Sequence, residues 1–87
     1  MTRTIAAKGA CVILGVGNRV EVDLSRVEGK WRGEVEKLLF KRKYAPVGLG
    51  DDRFVYFAET PAKVAREAYH VARLIRKLGV PAIARTF

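Results

Sequence analysis

The strongest constraint on the fold of this chain is the dipeptide Gly17-Asn18, which lies between two β-prone segments at residues 4–16 and 19–24. Glycine and asparagine tolerate the positive φ angles that a two-residue hairpin loop requires. A loop of this length leaves no freedom in the pairing of the two flanking strands. The sequence therefore predicts an antiparallel hairpin with a defined register.

That register divides the side chains of the hairpin between the two faces of the sheet. One face is apolar throughout, and its residues are Cys11, Ile13, Val22 and Leu24. The other face carries two aliphatic residues opposite two carboxylates, in the pairs Val12 with Asp23 and Leu14 with Glu21. We expect helices to cover the first face, and we expect the second face to stay partly open to a partner.

Two amphipathic helices are predicted from apolar residues at helical spacing. The first starts near residues 30–34 and runs to about residue 43, after a capping box at residues 25–28. The second begins at Thr60-Pro61, with the threonine as N-cap and the proline at the first helical position. It ends at Gly79, because glycine favours the residue just beyond a helix.

Three further short segments are predicted to be strands. Residues 44–47 form an edge strand, because Pro46 lacks the N–H that an inner strand donates. Residues 53–58 are rich in aromatic side chains and apolar on both faces, which indicates a central strand. Residues 48–52 form a loop, and residues 81–85 complete the sheet after the second helix.

This order of elements, ββαββαβ, predicts a single α+β domain over residues 1–87. From residue 19 onward it contains the split βαβ, or ferredoxin-like, arrangement, in which two helices pack on one face of a mostly antiparallel sheet. The first strand of the hairpin is an addition to that arrangement. A chain of 87 residues has room for one hydrophobic core only.

The chain carries 17 Lys and Arg against 9 Asp and Glu, a formal net charge of +8. Such an excess attracts polyanions, most often nucleic acid. The lack of Gln and the single Asn indicate a thermophilic source, whose helix faces usually interleave both signs of charge. Here the polar side of the second helix is almost entirely basic. We therefore predict a nucleic-acid-binding surface formed by Lys41, Arg42, Lys43, Tyr44, Lys63, Arg66, Tyr69, Arg73, Arg76 and Lys77.

The two tyrosines of that surface have two open interpretations. Tyr44 and Tyr69 either stack on unpaired bases or form half-buried rims of the core.

Arg53-Phe-Val-Tyr-Phe57 resembles the end of the signature strand of the RNA recognition motif. In that family, aromatic residues on the sheet face stack on RNA bases. Here Glu21 stands where a stacking aromatic residue is needed, and Glu21 and Asp23 repel phosphates. RNA binding of that kind is therefore not expected.

Gly15-Val-Gly-Asn-Arg19 resembles the phosphate loop of acylphosphatases. In those enzymes the loop leads into the N-terminus of a helix, which holds the anion. In this chain it leads into a strand, so a hairpin turn accounts for the motif better than a catalytic loop.

No other group of residues indicates catalysis, a metal site or a cofactor, and we expect none. Cys11 and His70 are the only cysteine and histidine, and Asp51-Asp52 has the composition of an ordinary turn. No apolar run approaches the ~18 residues that cross a bilayer. A cytoplasmic protein that does not bind membranes is expected.

The predicted function is binding of nucleic acid through its phosphates, with little sequence specificity and with RNA slightly preferred over DNA. The alternative is a protein-interaction or dimerisation module, or a subunit of a larger ribonucleoprotein complex. That alternative uses an open sheet face formed by Val12, Leu14, Phe54 or Tyr56. A homodimer is compatible with both functions, since a two-fold axis presents two basic surfaces.

Overall fold

The tight turn at Gly17 organises the sheet in the computed structural model, which describes residues 10–48 and 52–87. The strands β1 (Cys11–Val16) and β2 (Arg19–Asp23) pair antiparallel in the predicted register. Gly17 has a φ of 59°, whereas Asn18 does not adopt a positive φ, which is the pattern of a hairpin turn with glycine at its first central position. Residues 4–9 of the predicted first strand lie outside the described residues.

The remaining elements confirm the predicted order ββαββαβ and the α+β class. They are α1 (Gly29–Lys41), β3 (Ala45–Pro46), β4 (Arg53–Phe57), α2 (Pro61–Lys77) and β5 (Ala82–Thr86). Of the predicted loop at residues 48–52, only Gly48 and Asp52 lie within the described residues. Neither helix is long and apolar enough to cross a membrane.

Within the described residues, five strands form one mixed sheet in the order β3-β4-β2-β1-β5. All neighbouring pairs are antiparallel except β1 and β5, which are parallel. A ferredoxin-like sheet would place the last strand directly beside β2, whereas here β1 occupies that position. The ferredoxin-like order is therefore not confirmed, because the hairpin inserts its first strand into the sheet.

The two helices begin differently. The hydroxyl oxygen of Thr60 accepts a hydrogen bond from the backbone N–H of Lys63 at 3.2 Å, which confirms the predicted N-cap of α2. The capping box predicted for α1 is wrong: Glu28 itself is the N-cap residue, and its side chain makes no capping hydrogen bond. The backbone N–H of Ser25 instead donates to the carboxylate of Asp23 at 2.8 Å, in a turn that precedes the helix.

Both helices pack on the apolar face that the hairpin register predicts. The side chain of Val64 in α2 lies against Gly15 of β1. The ring of Phe40 in α1 meets the edge of Phe54 in β4, with 5.4 Å between the ring centroids. The largest fully buried side chains include Ile13, Val20, Val22, Leu24, Val35, Leu39, Phe54, Val71, Ile75 and Val80.

The structure contradicts the assignment of Phe54 and Tyr56 to the open sheet face. β4 pairs with β2 in a register that places Phe54 opposite Val22 and Tyr56 opposite Val20, so both rings lie on the covered face. Because β4 is apolar at every position after Arg53, its pattern does not indicate which side chains point toward the helices. The open face instead carries Val12, Leu14, Val55 and Ile83, with Phe57 at its edge.

Replacing Gly15 with alanine is expected to destabilise the protein. A Cβ atom at this position would lie 2.9 Å from Cγ1 of Val64 and 3.1 Å from Cγ2 of Thr86. Valine and threonine are stiff at χ1, so neither side chain moves away easily. We expect Gly15→Ala to lower the free energy of unfolding by about 1–3 kcal/mol, as measured by urea denaturation.

Gly33→Ala is the matched control, because nothing lies within 4 Å of a Cβ atom at this helical position. It is expected to raise the free energy of unfolding by about 0.5–1 kcal/mol. Unchanged or increased stability in Gly15→Ala would contradict the close approach of α2 to β1.

Candidate functional site

The end of α1 is joined to the middle of α2 by a side-chain cluster. The guanidinium of Arg42 donates two hydrogen bonds to the carboxylate of Glu67, at 2.8 and 3.0 Å. The hydroxyl of Tyr44 donates to the same carboxylate at 2.9 Å. At the other end, Trp31 near the start of α1 lies beside Gly79, which follows α2. The two helices therefore run side by side in opposite senses.

Burial and hydrogen bonding determine the protonation states of the three side chains in this cluster. Burial acts to raise the pKa of Glu67, but the hydrogen bonds from Arg42 and Tyr44 outweigh it, and the pKa lies below its ordinary value. The hydrogen bond to Glu67 raises the pKa of Arg42. Burial, together with the negative charge of Glu67, raises the pKa of Tyr44. At neutral pH the cluster therefore holds one cation, one anion and a neutral phenol.

A groove opens beside this cluster, because α1 ends opposite Glu67 while the first turns of α2 continue past it. The larger recess of this groove has a volume of about 810 Å³. Tyr56 forms its floor, and the ring of Tyr56 packs on Tyr44 with 5.2 Å between the centroids. The walls and rim include Arg42, Ala58, Glu59, Lys63, Arg66, Glu67, Tyr69, His70 and Arg73.

A second recess, of about 370 Å³, continues this groove toward the end of α1. It shares Arg42, Tyr56 and Glu67 with the first and adds Lys41 and Lys43. We refer to the two recesses together as the interhelical groove. It is lined by basic residues of both helices, whereas Arg76 and Lys77 of the predicted surface line neither recess.

The predicted binding residues differ in how their charges are satisfied. Lys63 pairs with Glu59 at 2.6 Å, and Arg42 pairs with Glu67. Arg76 donates a hydrogen bond to the backbone carbonyl of Ala82 at 3.0 Å. No described carboxylate pairs with the other cations of the predicted surface, which are Lys41, Lys43, Arg66, Arg73 and Lys77.

The two predicted tyrosines have different positions. Tyr44 is only 3% exposed and its hydroxyl is bonded to Glu67, so its assignment as a stacking residue for bases is wrong. The backbone turn after α1 points this ring into the core. Tyr69 is 49% exposed on the outer side of α2 and remains accessible.

Lys43 adopts an unusual backbone conformation, with a φ of 72°. It follows the C-cap of α1, where the N–H of Tyr44 bonds to the carbonyl of Leu39 and the N–H of Lys43 bonds to that of Phe40. This Schellman motif favours glycine, and an L-residue in the left-handed region costs about 1–2 kcal/mol. The equivalent position after α2 is occupied by Gly79, with a φ of 96°. A lysine is therefore held beside the groove at a conformational cost.

Two parts of the site are missing from the predicted binding residues. The sequence predicts Tyr56 on the opposite face of the sheet, and a strand that is apolar on both faces contains no pattern that would correct this error. Glu67 lies next to the buried Ala68 at the edge of the apolar stripe of α2, and a carboxylate that is partly removed from water there needs a positively charged or hydrogen-bonding partner.

The described residues contain no group of three or more side chains of the kinds that hold a metal ion. Burial raises the pKa of the Cys11 thiol to about 12, so this thiol is protonated at neutral pH and is a poor nucleophile. The chemistry that this surface offers is charge, hydrogen bonding and aromatic stacking.

Glu67→Gln is expected to lower stability in a pH-dependent way. The pKa of Glu67 is lower in the folded chain than the ordinary value of 4.5, so the carboxylate stabilises the fold above that pH and ceases to do so as the pH falls through the lowered pKa. At pH 7 we expect the variant to lose about 1–2 kcal/mol, since water screens part of the interaction at the partly exposed Arg42. Near pH 3 the difference from the wild type should shrink.

Urea denaturation at both pH values measures this difference. Glu59→Gln is the control, because the pair between Glu59 and Lys63 is exposed and should change stability little at either pH. If Glu67→Gln lost the same free energy of unfolding at both pH values, the negative charge of Glu67 would contribute nothing to stability.

No protein-family model matches this chain, and neither the curated proteins nor the solved structures include a significant match to it.

Proposed function

We propose that this protein binds nucleic acid through the phosphate backbone, with little sequence specificity and with RNA slightly preferred over DNA. The observation that supports this proposal is the row of uncompensated cations on one side of the molecule. They lie on the outer face of α2 and at the end of α1, and all of them except Lys77 line the interhelical groove.

The charge balance of the groove favours an anionic ligand. Six cationic side chains line its two recesses, against the carboxylates of Glu59 and Glu67. Each carboxylate already pairs with one cation of the same surface. Four cations are left without an internal partner among the described residues, so the surface keeps a positive field.

The spacing of the cations on α2 suits a polymer of phosphates. Arg66, Arg73 and Lys77 are separated by seven and four residues and therefore share one helix face. From Arg66 to Lys77 the helix rises roughly 16 Å. One nucleic-acid strand presents a phosphate about every 3.4 Å along the duplex axis, so several phosphates lie within reach of this face.

Lys43 gives independent support. Glycine would satisfy the Schellman motif without strain, yet the chain places a long cation there. Sparsely populated backbone conformations cluster at functional sites, where the side chain has a use that offsets the cost. Contact with an anion is a use that fits a lysine at the border of the groove. We accordingly propose a binding role and not a catalytic one.

Removing the unpaired cations of α2 is expected to weaken binding and to reduce its salt dependence. In the triple variant Arg66→Gln, Arg73→Gln and Lys77→Gln, up to three phosphate contacts are lost. The slope of log Kd against log salt should then fall by about two for a single strand. Fluorescence anisotropy with a labelled oligonucleotide at several salt concentrations measures both quantities.

The matched control removes the same charge elsewhere, with Arg26→Gln, Arg53→Gln and Arg85→Gln. These arginines are exposed and do not line the groove. The control should retain most of the affinity and the slope. If both triple variants lost the same affinity and salt dependence, binding would depend on net charge alone, and this result would contradict a site on α2.

The open sheet face favours a second candidate function, homodimerisation. No described helix lies over Val12, Leu14, Val55 and Ile83, and Phe57 at the edge of this face is 68% exposed. On this face the intervening strand β2 carries Arg19, Glu21 and Asp23 between the aliphatic residues of β1 and β4, and Arg19 pairs with Glu21 at 2.6 Å. A surface that mixes aliphatic and charged residues is typical of a non-obligate protein interface.

Leu14→Asp is expected to convert a dimer into a monomer, because it replaces an aliphatic contact of that face with a second carboxylate opposite Glu21. Sedimentation equilibrium measures the mass of the variant and of the wild type. Tyr69→Asp adds the same charge on the opposite side of the molecule and should leave the mass unchanged. A wild-type protein that stays monomeric at high concentration would remove the basis for this second function.

A further inference from the structure

The interhelical groove has a feature that phosphate binding alone does not use, which is its aromatic floor. Tyr56 lines both recesses and is partly exposed. Half-exposed Tyr69 stands at the rim of the larger recess. A flat ring surrounded by cations is the combination with which proteins hold unpaired bases, since the ring stacks on the base and the cations contact the phosphates.

The floor of the groove is fixed in place before any ligand arrives. The ring of Tyr56 rests on the ring of Tyr44 at 5.2 Å, with 33° between their planes. Tyr44 is itself held by its hydrogen bond to Glu67, and Glu67 is held by two hydrogen bonds from Arg42. A ring supported in this way loses little conformational freedom on binding, which favours affinity.

The shape of the groove favours single-stranded over double-stranded nucleic acid. A recess of about 810 Å³ has the size of a site for a small ring-bearing molecule. In a duplex each base is paired and stacked, so no base face is available to enter the recess. Only the cations of the rim would touch a duplex, whereas an unpaired nucleotide reaches both the cations and the floor.

We infer that the interhelical groove accommodates an unpaired nucleotide of a single-stranded nucleic acid, with its base on Tyr56 and its phosphates near Lys43, Arg66 and Arg73. This inference rests on the proposed function and specifies the ligand as single-stranded nucleic acid. It implies that the protein prefers single strands to duplexes of the same sequence.

The test compares a labelled single-stranded RNA dodecamer with the matching duplex at the same salt concentration. We expect the single strand to bind roughly tenfold more tightly. Tyr56→Leu should lose most of that preference, while Tyr56→Phe keeps the ring and should retain it. Because Tyr56 also packs on Tyr44, thermal melting must show that each variant is folded.

A second measurement does not depend on a variant. Photo-cross-linking of a 5-bromouridine-containing strand to the wild-type protein, followed by mass spectrometry, is expected to label Tyr56 or its neighbours in the groove. Cross-links on the open sheet face would overturn the inference, whatever the behaviour of Tyr56→Leu.

The remaining outcomes separate the inference from the proposed function. Equal affinity for single strand and duplex, with loss of both in the α2 triple variant, would overturn the inference and leave phosphate binding by α2 intact. Failure to bind either form would overturn both. Competition by free uridine monophosphate at the same concentration as the dodecamer would assign the groove to a mononucleotide and would overturn the single-strand assignment.

Discussion

The contact between Arg42, Glu67 and Tyr44 is the interaction on which the rest of this structure depends. It joins the end of α1 to the middle of α2, at the point where α1 closes with its Schellman motif. The groove lies beside this contact, and the ring of Tyr44 supports the ring of Tyr56 in its floor. The carboxylate of Glu67 thus pairs with the charge of Arg42, orients Tyr44 and links the two helices.

Local sequence signals predict the elements of this fold well, because each acts over a few residues. The Gly17-Asn18 turn predicts the hairpin and its register, and Thr60-Pro61 predicts the start of α2. The position of β1 inside the sheet depends instead on pairing with β5, whose partner residues lie about seventy positions away. No local pattern encodes that choice, which is why the ferredoxin-like order was expected and is not observed.

In the candidate site, too, local sequence signals predict some features, whereas others depend on contacts between distant parts of the chain. The cations of α2 are predicted from helical spacing alone, and their exposure follows from the apolar stripe on the other side. The neutralisation of Arg42 and the burial of Tyr44 depend on how the helices meet, and this is a tertiary property. Tyr56 shows the limit most clearly, since a strand with apolar residues on both faces contains no period that assigns each side chain to a face.

The hydrogen bond from Arg76 to the carbonyl of Ala82 ties the basic helix to the last strand of the sheet. Among the described strands β5 pairs with β1 alone, so closing this edge of the sheet requires segments from distant parts of the chain to meet. Opening of this strand would release one side of α2. A ligand that contacts α2, Arg42 and Tyr56 together needs α2 in its docked position, so its binding would also stabilise the pairing of the final strand.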